Sequence, residues 1–500
     1  MKIYLTRLRV FILLMFFLSI KSFSQKASRL SNPVIEKSLL LEDLKILKEN
    51  LEKAHPGLYN YTNKKEMDDF FESLKDSILG DMTSIDFFRL IAPLSNKIRN
   101  GHTILVPPSK WEDFVITDAK LLPFDLYYHD EQIYVLRNLS HHSEIVGGSV
   151  LKTINGRSAK VLFDFMVDRW FKDGYNKTRP QEIVEEEYRF LYSHFFGPSD
   201  SYHIEIISPE GKQQRFQVDG ITENEFQNIL KRNFGVEYVP WWRRTPELMD
   251  LTITDDTAHL KISLFNNAMK STDGKRFGKF VDKSFEKISK NNIQHLILDL
   301  RGNAGGDVNP QLKLLEHLVK TPFHLYKEVF ANTRELPNPE YYEFDMISRM
   351  EFKKNFENEK TGNVYNMKSQ LGYEPEPHKP SENLFDGNLY VLIDGWSFSA
   401  TGEVCGILKE HRKNEIFIGE ETGGNPVTNI SGIQTFMTLP HSKCRILICL
   451  VSYTTAVTYD NDGHGVQPDY EIRNSVYDIL KGYDKVLEMA KNLILKNKIR

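Results

Sequence analysis

Two unbroken apolar runs, Leu296-Ile-Leu298 ahead of Asp299 and Leu389-Tyr-Val-Leu-Ile393, constrain this chain's fold more than any other feature. A strand with one wet face alternates apolar and polar residues. A run without polar breaks suits a strand covered on both faces, as in a parallel sheet flanked by helices. With His259-Leu-Lys-Ile-Ser263 they alternate with helical stretches from Leu248 to about Arg473, which predicts an α/β architecture. Residues 330–385 are polar, charged and Pro-bearing, and read as a surface insertion. Val476 to Arg500 reads as a terminal helix.

At 500 residues the chain has room for more than this core; at ~150 residues per domain, about three domains are expected. Residues 36–100 read as helical. Leu44, Leu47, Leu51 and Ala54 keep helical spacing, as do Phe70, Phe71, Leu74 and Ile78, and then Phe87, Leu90, Ile91, Leu94 and Ile98. His55-Pro56-Gly57 breaks the first helix, and Thr83 or Ser84 caps the third. Residues 115–220 read mostly as strands, with a hairpin signal at Pro209-Glu-Gly211 and a helical insert at about 159–194. Pro240-Trp-Trp-Arg-Arg-Thr-Pro246 reads as part of a linker.

A formal charge of −4 leaves no basic excess for phosphate contacts, so nucleic acid is not expected as a partner. Three cysteines, Cys405, Cys444 and Cys449, make no disulfide framework. Lys2, Arg7 and Arg9 precede the apolar run Val10–Ile20, and the small residues Ser22 and Ser24 follow, the pattern of a secretory leader cleaved near Ser24. That run is too short to span a bilayer. Cleavage removes four basic residues and takes the charge from −4 to −8. An exported, mildly acidic protein is expected, periplasmic or extracellular, with no membrane span in its mature form.

Four segments have the composition of a reaction site. Asp299-Leu-Arg-Gly-Asn-Ala-Gly-Gly-Asp307 joins a strand to a helix, and its glycines allow backbone N–H groups to face a developing negative charge. It fits neither a dinucleotide loop nor a phosphate loop, and a plain tight turn has the same composition. In Ile393-Asp-Gly-Trp-Ser-Phe-Ser-Ala-Thr-Gly-Glu403, Ser399 falls at a helix start, where unpaired N–H groups favour an oxyanion. Ser397 or Ser399 could equally be a simple helix cap. Asn100-Gly-His-Thr103 offers a histidine base. Tyr459-Asp-Asn-Asp-Gly-His-Gly-Val-Gln-Pro-Asp469 is crowded with acids that could orient one. No HExxH or paired CxxC occurs, so no metal or other cofactor is expected.

Taken together, these segments resemble the C-terminal processing (tail-specific) serine peptidase family, closest to its tricorn-core and interphotoreceptor retinoid-binding-protein-like branch. The resemblance covers most of the mature chain. It implies an N-terminal helical domain (25–110), a PDZ-like β-rich domain (111–222), a linker (223–247) and an α/β, ClpP/crotonase-like catalytic core (248–500). It implies Ser399 as nucleophile, with Gly305 or Gly306 and the Ala400 N–H as oxyanion hole. The strand holding Gly147, Gly148 and Val150 resembles the family's peptide-binding PDZ strand, which would take an extended polypeptide by strand addition.

One departure decides the base. Where many members carry a lysine, in Gly419-Glu-Glu-Thr-Gly-Gly-Asn425, this chain has Asn425. The histidine-using branch then implies His102 as base and Asp462 as its orienting acid, with His464 as a rival base. A serine endopeptidase acting through an acyl-enzyme is the expected function. A non-catalytic peptide- or lipid-binding protein on the same fold and a small-substrate esterase or amidase are the alternatives.

Overall fold

The computed structural model describes residues 32–236, 249–369 and 372–499. The expected leader and the Trp241-Trp242 pair lie outside them. After a short Val34–Ile35 strand, the described residues run through helices α1 (Lys37–Ala54), α2 (Lys64–Ser77), α3 (Ser84–Ile91) and α4 (Leu94–Ile98). Most of the predicted apolar positions are buried, with Leu44, Leu47, Leu51, Phe71, Leu74, Phe87 and Ile91 all inaccessible or nearly so, while Phe70 and Leu90 are half-buried. Of the two candidate caps for α3, Thr83 serves, its hydroxyl accepting from the Asp86 N–H. A three-residue strand, β1 (Ile104–Val106), and helix α5 (Ser109–Thr117) follow.

The middle of the chain is a mostly antiparallel sheet. Its strands are β2 (Phe124–His129), β3 (Gln132–Asn138), β4 (Val150–Ile154), β5 (Ser201–Ile207) and β6 (Gln213–Asp219), in that spatial order. The expected helical insert is three helices, α6 (Ala159–Val167), α7 (Thr178–Glu186) and α8 (Tyr188–Phe196). The stretch expected to be linker begins with a helix, α9 (Glu223–Phe234), held by a full capping box between Thr222 and Glu225.

The core opens on a hairpin, β7 (Asp250–Thr254) and β8 (Thr257–Lys261), and continues through helix α10 (Phe277–Lys290), strand β9 (His295–Asp299), helix α11 (Val308–Leu315), strand β10 (Tyr326–Ala331) and helix α12 (Met346–Asn355). Then come β11 (Asn388–Ile393), α13 (Ala400–His411), β12 (Glu415–Gly419), the long strands β13 (Thr428–Thr438) and β14 (Arg445–Thr455), and helices α14 (Val476–Leu480) and α15 (Lys485–Ile499). One sheet runs β7-β8-β9-β11-β12, closed by Tyr470–Glu471. It is parallel from β8 onward, with Leu298 opposite Val391. Both apolar runs are buried throughout, as expected of central strands.

A second sheet was not anticipated. β13 and β14 pair along their length, β10 joins β14 on its other side, and β1 adds to the far end of β14 with Leu105 opposite Ile446. Residues 330–385, expected as a surface insertion, contribute to the interior through Ala331 at the end of β10 and through the buried Phe352, Phe356 and Met367. All three cysteines are buried and free.

Helix α10 shows what holds the layers together. Phe277, Phe280, Val281, Ser284, Phe285 and Ile288 form its buried stripe. Phe285 is wholly inaccessible, its ring stacked 4.5 Å from His317. A Phe285→Ala variant should lose about 3–5 kcal/mol of stability from the lost transfer energy and the cavity left behind. Urea unfolding followed by tryptophan fluorescence checks this.

Candidate active site

The two glycine- and serine-bearing turns leave neighbouring strands of the parallel sheet and are stitched to each other. Asp299, at the end of β9, is gripped by Arg301, whose Nε and Nη2 donate at 2.9 and 2.7 Å. Asp394, just past β11, accepts from the Gly302 N–H at 3.0 Å and from the Ser397 N–H at 2.9 Å. Ser397 Oγ donates to the Leu300 carbonyl at 3.0 Å, and the Asn303 carbonyl accepts from the Phe398 N–H and Thr401 Oγ1. Ser397 is thus a structural serine.

Ser399 is different. It stands at the N-cap of α13 with φ 55° and ψ −122°, and its side chain makes no cap hydrogen bond. Such a backbone conformation in a residue other than glycine is strained and persists only where the surroundings enforce it. Gly305 packs against this turn at a distance only a glycine allows. A Cβ on Gly305 would lie 2.8 Å from Ala400 N, Phe398 O and Ser399 Cβ. The Gly305 N–H is engaged by Asn303 Oδ1 at 2.9 Å. The N–H groups of Gly306 and Ala400 have no acceptor among the described residues. That leaves two unpaired donors beside Ser399 at the positive end of α13.

His102 arrives from the other sheet. Its loop runs from α4 into β1, and β1 is fixed by pairing with β14. Asn100 Nδ2 donates to the Ile430 carbonyl, Thr103 Oγ1 donates to Asn100 Oδ1, and buried His55 holds Thr103 Oγ1 at 2.9 Å. The Gly101 N–H donates to Asp173 Oδ1 at 2.6 Å. The His102 ring lies against Phe398, centroids 4.5 Å apart, and the Arg179 guanidinium sits 3.8 Å from the same phenyl ring. Burial, followed by the Arg179 charge, pushes His102 down to about 3. Its Nδ1 is buried without a partner. Among the described residues no hydrogen bond joins His102 to Ser399. The group at Ser399 Oγ is Asn429 Nδ2, at 3.4 Å.

The other expected residues lie around this centre. Asp462 is exposed, and its Oδ1 accepts from the His464 N–H at 2.9 Å. No hydrogen bond joins it to His102. Its loop is tied in through the Gly463 carbonyl, which accepts from the Tyr175 N–H at 2.7 Å. His464 pairs with Glu421, 3.2 Å away. Asn425 stands where the lysine would be and shapes a turn, its Oδ1 accepting from the Val427 and Thr428 N–H groups. Gly147 and Gly148 sit beneath α14, where added Cβ atoms would meet Leu480 and Tyr477. Val150 pairs with Tyr134 on one side and Ile207 on the other, so β4 is interior and the sheet's outer strands are β2 and β6.

Three side chains at the site escaped the sequence reading. Buried Asp173 joins the histidine loop to the Asn425 N–H, and burial pushes its carboxyl up to about 6 despite those donors. Arg179 packs on Phe398 and Trp396. Asn429 lies on β13 beside the serine. All three depend on contacts between segments far apart in sequence, and no local motif marks them. Among the described residues no cluster of His, Cys, Asp and Glu could hold a metal ion, and no helix is long and apolar enough to cross a membrane. A cavity of about 780 Å³ opens between β2–β3 and the carboxyl ends of the parallel strands, reaching Ala304 and Trp396 beside the two turns.

Residues 256–472, which span both turns, match the family model for peptidase family S41. No curated protein matches the chain. Among solved structures, mature CPAF complexed with lactacystin superposes with a TM-score of 0.64 at 16% identity, over 92% of this chain and 98% of that one. Mature CPAF gives 0.62 at 15% identity, over 92% and 97%. At such identities the likeness is one of fold. The chain carries a peptidase S41 domain and is a serine-type peptidase.

Proposed function

We propose that the chain is an exported endopeptidase that cuts extended or unfolded polypeptides through an acyl-enzyme on Ser399. The observation that carries this reading is the strained Ser399 turn, with two unpaired N–H groups beside it and no capping duty for its hydroxyl. His102 takes the Ser399 proton as Oγ bonds to the scissile carbonyl carbon. The carbonyl oxygen becomes an anion held by the Gly306 and Ala400 N–H groups. Its collapse expels the amine, which takes the proton from His102, and water then releases the acyl group by the same route. Asp462 is the acid assigned to orient the base. Its loop is tied through Tyr175 to the segment whose Asp173 holds Gly101. Catalytic hydrogen bonds in a free enzyme are often long or misaligned and tighten when substrate arrives.

An extended substrate suits the cavity between the antiparallel sheet and the core, which ends beside the two turns. The PDZ-like role assigned to Gly147, Gly148 and Val150 would need α14 to move off the two glycines, and at Val150, already paired with Tyr134 and Ile207, it has no free strand edge to use. The export reading rests on the first 24 residues, and the N-terminal sequence of the secreted protein tests it.

The test of function is to incubate the chain from Gln25 onward with unfolded casein and read the products by mass spectrometry. New internal termini support the endopeptidase. Intact casein alongside turnover of a small ester would overturn it. The pH profile tests the base. Because burial and Arg179 lower His102 below its ordinary 6.5, the imidazole stays neutral and able to accept a proton as pH falls through that value. The acid limb of kcat/KM, scanned over roughly pH 4 to 9, should therefore lie below 6.5. A limb above 6.5 would point to another base.

A further inference from the structure

Asn429 is only 5% exposed, and its amide nitrogen has two neighbours. Nδ2 lies 2.6 Å from Glu403 Oε1 and 3.4 Å from Ser399 Oγ. Glu403 is 1% exposed and stands on the first turn of α13, its N–H bonded to the Ser399 carbonyl at 3.2 Å. Its other oxygen accepts from the buried Tyr326 hydroxyl at 2.9 Å. The group thus draws on three elements, β13, α13 and β10, and ends at the nucleophile. No donor reaches Asn429 Oδ1 among the described residues.

We propose that Asn429 is a positioning residue for the nucleophile, with buried Glu403 fixing which face of its amide Ser399 meets. This rests on the reading of Ser399 as nucleophile. The argument is one of donor polarity. A carboxylate only accepts hydrogen bonds, so Glu403 forces the NH2 side of the amide toward itself. The second N–H of that NH2 then faces Ser399 Oγ and occupies one of its lone pairs. The hydroxyl proton is left to point elsewhere, toward a base. With the amide reversed, Oδ1 would accept that proton and hold it away from the base. Glu403 thus acts one bond removed from the reaction, through an orientation. Burial raises the Glu403 carboxyl, while the donors from Asn429 and Tyr326 favour its charged form.

The test measures two things on the wild type, N429A, the isosteric N429D, and E403Q. One is the rate at which a fluorophosphonate labels Ser399, read by peptide mapping. The other is kcat and KM on a cleaved peptide. Labelling and kcat should fall about 100-fold in N429A and N429D, as expected for a misaligned nucleophile, with KM changed less than about twofold. E403Q should show the same pattern at an unchanged melting temperature, because it keeps the shape and removes only the charge that sets the amide. Wild-type labelling in N429A and N429D would overturn the proposal while leaving the nucleophile in place. A fall in kcat matched by a rise in KM and a lower melting temperature in all three variants would overturn it in favour of a merely structural role. A wild type that is never labelled at Ser399 would overturn the nucleophile reading itself, and the positioning role with it.

Discussion

A Ser399→Ala variant should lose peptide hydrolysis by about 10⁵- to 10⁶-fold, because residual catalysis without a nucleophile comes only from binding and oxyanion stabilisation. Its fold should be unaffected. Ser399 makes no cap bond to α13, and among the described residues its side chain's one hydrogen bond is the long one to Asn429. Alanine adopts the φ of 55° with strain similar to serine's. Melting temperature should therefore stay within a degree or two of the wild type's while activity vanishes, a separation that core variants such as Phe285→Ala cannot produce. Measurement needs only the casein assay and a thermal melt on the same preparation. A variant that still cut casein at the wild-type rate would remove Ser399 from the chemistry. Ser397→Ala makes the opposite control. It breaks buried bonds to Leu300 and Asp394 that stitch the two turns, so it should lower stability by about 1–3 kcal/mol through unsatisfied partners.

Legibility in the sequence followed the range of the interactions. The two turns could be read because each is local: an apolar strand, a glycine or serine break, and the start of a helix. β8, β9 and β11 were legible for the same reason. The second sheet was not. Its signal was partly present, since Arg445-Ile-Leu-Ile-Cys-Leu-Val451 is apolar enough for a buried strand. Its partner, Thr428–Thr438, mixes Thr, Asn, Ser and Gln with its apolar residues and reads as loop until paired. β1 is only three residues long and gains its structure from β14, about 340 positions away, so no local pattern announces it. That strand places His102, and β13 places Asn429. The sequence could therefore nominate a histidine by its Asn-Gly-His-Thr setting, but not its stacking on Phe398 or the Arg179 charge that lowers it. Nor could it show that α14 covers Gly147 and Gly148, because the covering residues lie more than 320 positions further on.

A Gly305→Ala variant carries the second large expectation, and its cause is geometric. The added methyl would lie 2.8 Å from three atoms of the serine turn, two of them backbone, at a φ of +102° that L residues rarely adopt. Neither turn can yield cheaply. Gly305 is held by Asn303 Oδ1 and by its carbonyl's bond to the Phe265 N–H, while the serine turn is held by Asn303 and Leu300. The two must part, and the Gly306 and Ala400 donors assigned to the oxyanion then shift relative to each other. Removing a single oxyanion donor costs about 10²- to 10³-fold in kcat, and displacing both should cost at least that. Gly302 supplies the control on the same loop. It also has positive φ, +75°, but a Cβ there meets nothing within 4 Å. Gly302→Ala should therefore cost about 1 kcal/mol of backbone strain and retain most of the activity. If both variants lost activity equally, loop strain would explain the loss. If only Gly305→Ala did, the contact between the glycine turn and Ser399 is what builds the site.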